Sequence, residues 1–180
     1  MIRPRRSLLF LPGDDRRKIE KAISAAPDSI LMDLEDGVAV SKKAEAREVV
    51  LRAVSELNFG KSERIIRINA LDTHFADDDI ETVIRAKPDS IIIPKVESPD
   101  QVTYVVDRIP VAIPIIAMIE TAKAVMNIKE IATMPSLVAL CFGAEDYITA
   151  WAGFAPKVIT KWLTPAALCR CAPPCLACKP

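Results

Sequence analysis

The stretch SILMDLED, Ser29–Asp36, is an apolar run of strand length that ends abruptly in acidic residues. The same construction recurs along the chain in Ser7–Gly13, Arg64–Asn69, Ser90–Lys95, Ile113–Glu120 and Leu137–Asp146. Short, nearly continuous apolar runs are typical of strands buried on both faces, as in parallel sheets, and the stretches between them have the pattern of helices. The sequence therefore predicts an α/β protein built from about six successive βα units.

Two of these strands follow matching turns. Ala26–Leu31 reads APDSIL and Lys87–Ile92 reads KPDSII, so the βα unit is repeated along the chain. Consecutive βα units favour a (β/α)8 barrel of the TIM type, which needs two more units than the sequence shows. Since no strand–helix pair is recognisable further on, we expect an incomplete barrel domain over residues 1–154. We expect a non-homologous, disordered tail over residues 155–180.

Turn and capping residues predict where the helices lie between the strands. The expected helices run from Asp14 to about Ala25, from Ser41 to Leu57, over Phe75–Ala86, from Ser98 to Arg108 and from Thr121 to about Ala132.

Charge and hydropathy exclude two classes of partner. The chain has 24 basic and 24 acidic residues, which gives no overall attraction to nucleic acid or to an anionic membrane. Its longest apolar runs, such as Val111–Ile119, fall short of the roughly 20 residues of a membrane helix.

Arg3, Arg5 and Arg6 lead directly into the first strand, which leaves no room for a signal or transit peptide. We expect a cytoplasmic location, or a mitochondrial one if a targeting segment precedes the chain.

Four of the five cysteines lie near the C-terminus, at Cys169, Cys171, Cys175 and Cys178. Thiolates at close spacing can form a zinc site. Here the spacers of one, three and two residues leave little chain to wrap around an ion, and neighbouring prolines stiffen it. We therefore interpret these cysteines as part of the tail and not as a zinc site.

Acidic residues follow two neighbouring strands. Glu120 ends the fifth strand, and Asp146 is expected to end the sixth, in FGAEDY. Because adjacent strands lie about 4.8 Å apart, two carboxylates at their tips can share one cation. Oxygen ligands without a nearby histidine or cysteine favour Mg²⁺ over zinc. The alternative is a pair of solvated acids at the mouth of the barrel. Gly143 would let backbone amides approach a ligand.

Arg67 lies in the third strand between Ile66 and Ile68. An arginine there is expected to face the lumen of the barrel, where its guanidinium can hold a carboxylate or a carbonyl oxygen that becomes an enolate. The alternative is a structural arginine paired with Asp36 or Glu35, which does not exclude this role.

The acids of the second strand are expected to support the site. Asp33 and Glu35 alternate along the strand and project to one side, and Asp36 lies at the tip. We expect Glu35 and Asp36 to orient Arg67, Lys95 or water bound to a metal. Lys95 could act as a Schiff-base nucleophile, but the surrounding acids favour a protonated lysine that serves as their charge partner.

Basic residues cluster at the start of the first helix. Arg16, Arg17, Lys18 and Lys21 lie where a helix N-terminus favours anions, and Arg17 and Lys21 share one face. This cluster fits the phosphates of a long substrate, to which Lys42 could add. The alternative is an ordinary solvated face.

Six motifs occur together in one order: RRSLLFLPG, DLEDGV, RIN, IPKVESP, IET and FGAED. Between about Arg3 and Gly153 the chain thereby resembles the citrate lyase beta subunit-like proteins of the HpcH/HpaI aldolase superfamily. The resemblance implies a Mg²⁺-dependent TIM-barrel lyase that cleaves a carbon–carbon bond of an acyl-CoA thioester. Substrates of this kind are citramalyl-CoA, which gives acetyl-CoA and pyruvate, malyl-CoA and citryl thioesters.

The resemblance also implies roles for individual residues. Glu120 and Asp146 would be the Mg²⁺ ligands, Arg67 would hold the thioester or enolate oxygen, with Glu35 and Asp36 as further catalytic residues, and Phe10, Arg17, Lys21 and Lys42 would contact CoA or substrate. Family members continue through two more strands and a C-terminal segment that bears an acidic catalytic residue and covers a neighbouring subunit's site. For a chain that carries this C-terminal segment, the resemblance implies a homo-oligomer, specifically a trimer.

Two alternatives stay open. One is a catalytically inactive, truncated paralogue that binds Mg²⁺, CoA or full-length subunits. The other is an aldolase of free 2-keto acids, as in other branches of the superfamily. The pair of Arg17 and Lys21 favours a CoA substrate, whereas the absence of a recognisable C-terminal segment favours inactivity.

Overall fold

The computed structural model describes residues 3–150 and the backbone of residues 168–169. Its sheet has the strands in the order of the sequence, with the first six parallel. The strands are β1 (Leu8–Pro12), β2 (Ser29–Asp33), β3 (Glu63–Arg67), β4 (Ser90–Ile93), β5 (Ile115–Ile119), β6 (Leu137–Phe142) and β7 (Leu168–Cys169). A parallel order that never reverses is that of a (β/α) barrel and not of a doubly wound sheet. The prediction of an incomplete TIM-type barrel with six βα units is confirmed.

Helices connect the strands and cover the outer face of the sheet. They are α1 (Arg16–Ala25), α2 (Lys43–Glu56), α3 (Ala76–Ala86), α4 (Pro99–Arg108), α5 (Ala122–Met126), α6 (Ile128–Ile131) and α7 (Ala144–Ala150), with a 3-10 turn at Val40–Lys42 before α2. The predicted helix from Ser98 to Arg108 is confirmed, since Ser98 caps α4 together with Gln101.

Two predicted helix caps are wrong, and one predicted helix is interrupted. The side chain that caps α1 is Asp15 and not Asp14, because the Asp15 carboxylate accepts from the backbone N–H of Lys18 at 3.1 Å. Ser41 lies inside the 3-10 turn, so α2 begins only at Lys43. The fifth predicted helix is broken at Asn127, whose side-chain amide donates to the carbonyl of Glu97 at 2.8 Å.

Apart from β1, whose Leu9 and Phe10 are exposed, the strands of the parallel sheet are largely buried on both faces. Their outward side chains, such as Ile30 and Ile66, pack against the helices in one large apolar cluster. Their inward side chains form a second, smaller cluster inside the curve of the sheet, which includes Leu31, Ile65 and Ile92. Alternate residues of one strand thus enter different clusters, as the two-residue period of a strand requires.

An ion-paired network closes the amino ends of the strands. Arg5 donates two hydrogen bonds to the buried carboxylate of Glu63, at 2.6 and 2.7 Å, and the hydroxyls of Ser29 and Ser90 donate to the same carboxylate. Arg6 binds the Asp28 carboxylate in the same forked manner. Polar groups therefore fill this end of the sheet, and the opposite end remains for a site.

No helix within residues 3–150 has the length and hydropathy needed to cross a membrane. Most of the predicted tail, with Cys171, Cys175 and Cys178, lies outside the described residues, so the division at residue 154 stays a prediction. The backbone of β7, which the sequence pattern does not predict, pairs antiparallel with β6.

Candidate active site at the carboxyl ends of the strands

Asp33 anchors the turn that follows β2. Its carboxylate accepts the backbone N–H groups of Glu35 and Gly37, at 2.8 and 2.7 Å. A side chain on Gly37 would collide with the same carboxylate, so the tight turn requires a glycine there. The turn formed by DLEDG therefore wraps around the carboxylate of its first residue, Asp33, and places Glu35 in the lumen.

Arg67 pairs with Asp33. Its Nε and Nη2 donate to the two Asp33 oxygens at 2.7 and 2.6 Å, because Asp33 and Arg67 are direct neighbours in the register of β2 and β3. The predicted lumenal orientation is confirmed, and so is the alternative's pairing with Glu35, whose Oε2 lies 3.0 Å from Nη1. Asp36, the other partner that the alternative offered, lies 3.9 Å from Lys95 instead.

The guanidinium of Arg67 is held in a largely buried setting. Its Cζ lies 5.8 Å from the centroid of the Phe10 ring, and Nη1 faces the sulfur of Met118 at 3.8 Å. Burial alone would lower the pKa of Arg67, but the hydrogen bonds and charges of Asp33 and Glu35 raise it above its ordinary value. Arg67 is therefore a permanent, oriented cation at the mouth of the lumen.

The ammonium of Lys95 lies near three carboxylates. Its ammonium Nζ lies 2.9 Å from Glu35 Oε1, 3.5 Å from Asp146 Oδ2 and 3.9 Å from Asp36 Oδ2. Burial lowers the pKa of Lys95, but these carboxylates outweigh it and raise the pKa above the ordinary value. Because the amine stays protonated, the structure confirms Lys95 as a charge partner and gives no support to a Schiff-base nucleophile.

Glu120 is buried at the end of β5. Its Oε1 accepts the backbone N–H of Lys95 at 2.8 Å, while Oε2 faces Gly143 so closely that a Cβ at Gly143 would overlap it. Burial raises the pKa of Glu120 to about 7; the Lys95 N–H opposes this rise, and the charges of Glu35 and Asp146 add to it. The site thus holds a carboxylate that gains from a nearby cation.

Asp146 does not end β6. That strand finishes at Phe142, and Asp146 lies in the first turn of α7, so the expectation of two acids at adjacent strand tips is corrected. A helix turn carries Asp146 back over the site, toward Lys95 and within electrostatic range of Glu120.

The residues present fit a hard divalent cation. Glu120 and Asp146 offer only oxygens. Within the described residues no group of three or more His, Cys, Asp and Glu side chains could hold a metal by itself, so water and substrate oxygens would have to supply the remaining ligands. Two carboxylates with open positions suit Mg²⁺, which keeps water and substrate oxygens in its octahedral shell. The absence of a side chain at Gly143 lets the Glu120 carboxylate lie against the backbone there.

The basic cluster of α1 is smaller than expected. Arg16 pairs with Glu20 and Glu56, and Lys18 pairs with the capping residue Asp15. The Asp15 carboxylate already accepts the backbone N–H of Lys18, and its negative charge disfavours another anion at this helix N-terminus.

Arg17 and Lys21 are exposed, and their side chains make no ion pair in the part of the chain that the structure describes. Lys42 is half-exposed and lies 3.5 Å from Asp14. Arg17 and Lys21 are thus the members of this cluster that remain available to an anionic substrate.

A second network, which the sequence pattern did not single out, supports the site from below. The buried ammonium of Lys43 donates to the carbonyls of Leu34 and Glu35, at 2.7 and 2.6 Å, and to Asn69 Oδ1 at 2.7 Å. Asn69 in turn donates to Asp79 of α3. Lys43 therefore fixes the backbone that carries Glu35. In the sequence Lys43 follows another lysine, Lys42, and nothing in the local pattern predicts that its side chain is buried.

The chain is similar to known proteins in both sequence and fold. The family model "HpcH/HpaI aldolase/citrate lyase" matches residues 6–153. A (3S)-malyl-CoA thioesterase of Cereibacter sphaeroides is 41% identical over 79% of this chain and 50% of its own. The mitochondrial citramalyl-CoA lyase of Homo sapiens is 32% identical, over 80% and 48%.

A crystal structure of the protein CitE from Mycobacterium tuberculosis, in complex with magnesium, acetoacetate and coenzyme A, superposes with a TM-score of 0.69. It is 33% identical, over 82% of this chain and 52% of that one. The chain spans about half the length of the curated relatives it matches. The match of fold, family model and sequence covers the six βα units and all the residues of the candidate site, so the chain belongs to the HpcH/HpaI aldolase/citrate lyase family.

Proposed function

We propose that this chain carries the metal-binding and acyl-CoA-binding half of a Mg²⁺-dependent carbon–carbon lyase. Its substrate is an acyl-CoA thioester such as citramalyl-CoA, which is cleaved reversibly to acetyl-CoA and pyruvate. The observation that carries the proposal is the convergence of Glu120, Asp146 and the oriented Arg67 at one end of the sheet. The names of the relatives and the magnesium and coenzyme A in the CitE complex support it.

Each part of the reaction has a residue that suits it. Glu120 and Asp146 hold Mg²⁺, which when bound polarises the oxygens of the keto-acid half of the substrate. Arg67 binds the thioester oxygen, where negative charge develops as the enolate of the acetyl-CoA half forms. Asp33 and Glu35 keep the guanidinium in one orientation. Asp36, which is exposed, reaches the site only through Lys95.

The CoA chain extends over the outer rim of β1 and α1. Phe10 is half-exposed beside Arg67 and can contact the thioester arm. Arg17 and Lys21 bind the phosphates, and Lys42 adds to them once it leaves Asp14. We also propose that the protein forms a homo-oligomer, specifically a trimer, and that its location is cytoplasmic.

Binding and turnover test the proposal separately. Calorimetry should show Mg²⁺ binding that is strongly weakened in Glu120→Gln and in Asp146→Asn but unchanged in Lys129→Met, which removes an exposed charge elsewhere. Arg17→Glu combined with Lys21→Glu should weaken acetyl-CoA binding. If both carboxylate variants bind Mg²⁺ as tightly as the parent chain, the proposed site is wrong.

Thioester hydrolysis is the second candidate function, because a relative that is 41% identical to this chain is named (3S)-malyl-CoA thioesterase. The products distinguish the reactions: a lyase gives acetyl-CoA and a keto acid, whereas a thioesterase gives free CoA thiol and no keto acid. If the chain binds Mg²⁺ but catalyses neither reaction, it is the inactive paralogue. Cleavage of a free 2-keto acid adduct without CoA would favour the aldolase.

A further inference from the structure

Lys95 has a backbone conformation that favours glycine. Its φ angle is 51°, in the left-handed region, and it follows β4. The other described non-glycine residues with positive φ, Ala26 and Lys87, lie at helix C-caps, where this conformation is common. A lysine at such a position costs backbone energy that a glycine would not.

The same conformation directs two groups of Lys95 into the site. The backbone N–H donates to Glu120 Oε1, and the side chain turns its ammonium toward the acids. The ammonium is 2.9 Å from Glu35 but 3.5 Å from Asp146, so its tie to Glu35 is the closer one. Asp146 is half-exposed and lies in a helix turn, whereas Glu35 is buried and fixed by the Lys43 network.

We propose that the Lys95 ammonium is the built-in counter-ion of the metal-free site, holding Asp146 until a divalent cation takes Asp146 over. This inference rests on the proposed function. Lys95 keeps its tie to Glu35 when the cation binds, and only the looser contact with Asp146 is exchanged. Lys95 thereby lowers the intrinsic affinity for Mg²⁺ while it prevents repulsion among the carboxylates in the absence of metal.

The first experiment measures Mg²⁺ binding by calorimetry for the whole chain and for Lys95→Met, which keeps the length and shape of the side chain. Removal of the competing charge should tighten Mg²⁺ binding about tenfold or more. The metal-free variant should melt at a lower temperature than the parent chain, and added Mg²⁺ should raise its melting temperature by more. Lys123→Met, which removes an exposed ammonium paired with Glu97, is the matched control and should leave Mg²⁺ affinity unchanged.

A double-mutant cycle shows whether Lys95 acts through Asp146. In an Asp146→Asn background, Lys95→Met should no longer tighten the residual Mg²⁺ binding. Lys95→Gly provides a second variant that keeps the backbone N–H and favours the positive φ, and it should tighten binding as the methionine does. Unchanged or weaker binding in both Lys95 variants would overturn the inference. If the parent chain itself binds no Mg²⁺, the proposed function fails instead.

Discussion

At the scale of single residues, Gly143 controls the space beside Glu120. A Cβ at this position would overlap the Glu120 carboxylate, and the backbone N–H of Gly143 is tied to the carbonyl of Ile119 at 3.0 Å, so the residue cannot simply move away. We expect Gly143→Ala to weaken Mg²⁺ binding at least tenfold, about 1.4 kcal/mol, with the fold retained in circular dichroism.

The control for Gly143→Ala is Gly60→Ala. Gly60 has a φ of 59° with open space around it, so an alanine there strains the backbone, costs about 1 kcal/mol of stability and leaves the metal site untouched. If the Gly143→Ala variant binds Mg²⁺ as tightly as the parent chain does, the Glu120 carboxylate does not lie against residue 143 when the ion binds.

Glu120 also makes the site sensitive to pH. The folded chain raises its pKa from 4.5 to about 7, so folding takes up a proton between these values and the stability of the metal-free protein falls as the pH rises through this window. We expect a loss on the order of 2 kcal/mol in urea unfolding, which Glu120→Gln reduces.

Mg²⁺ binding should show the opposite dependence on pH, because the ion binds the deprotonated carboxylate. Its affinity should increase from about pH 6 to about pH 8 and level off above. Calorimetry that finds the same affinity across this range would contradict the raised pKa of Glu120.

At the scale of elements, Lys43 joins α2 to the ends of β2 and β3. Its ammonium is the shared donor for two backbone carbonyls and for Asn69, all of them buried. We expect Lys43→Met to leave Asn69 Oδ1 without its donor, to remove one of the two donors to each carbonyl, and to lower the free energy of unfolding by about 3 kcal/mol. The neighbouring Lys42→Met, at a half-exposed position, should change it by less than about 0.5 kcal/mol. Equal effects of the two variants in urea unfolding would refute the assigned network.

At the scale of the whole molecule, the parallel sheet keeps its edges. On its outer side β1 has no strand neighbour among the described residues, and Leu9 and Phe10 are exposed there, while β6 has only the two-residue β7. A closed barrel removes such edges. We expect the chain by itself to self-associate through these edges, which light scattering measures.

Grafting the last two βα units of a full-length relative after Gly153 should cover the β6 edge and give a monodisperse protein in light scattering. If the ungrafted chain is already a monodisperse monomer, the open edges do not cause association.

The order of the βα units, the positions of the strands and the kind of residue at each strand end follow from the amino-acid sequence alone. These are local properties, since an apolar run such as Ser29–Asp33 and the acids after it are adjacent in the chain. Glu35, Arg67 and Glu120 can for this reason be identified from the pattern of strand ends.

Three features depend on the tertiary structure. Asp33 is the main partner of Arg67 because hydrogen bonding between β2 and β3 sets their register. Asp146 reaches Lys95 from a helix turn. Lys43 is buried because α2, β3 and α3 pack around it. In each case the partners lie far apart in the sequence, and only the packing of strands and helices brings their side chains within hydrogen-bond or ion-pair distance.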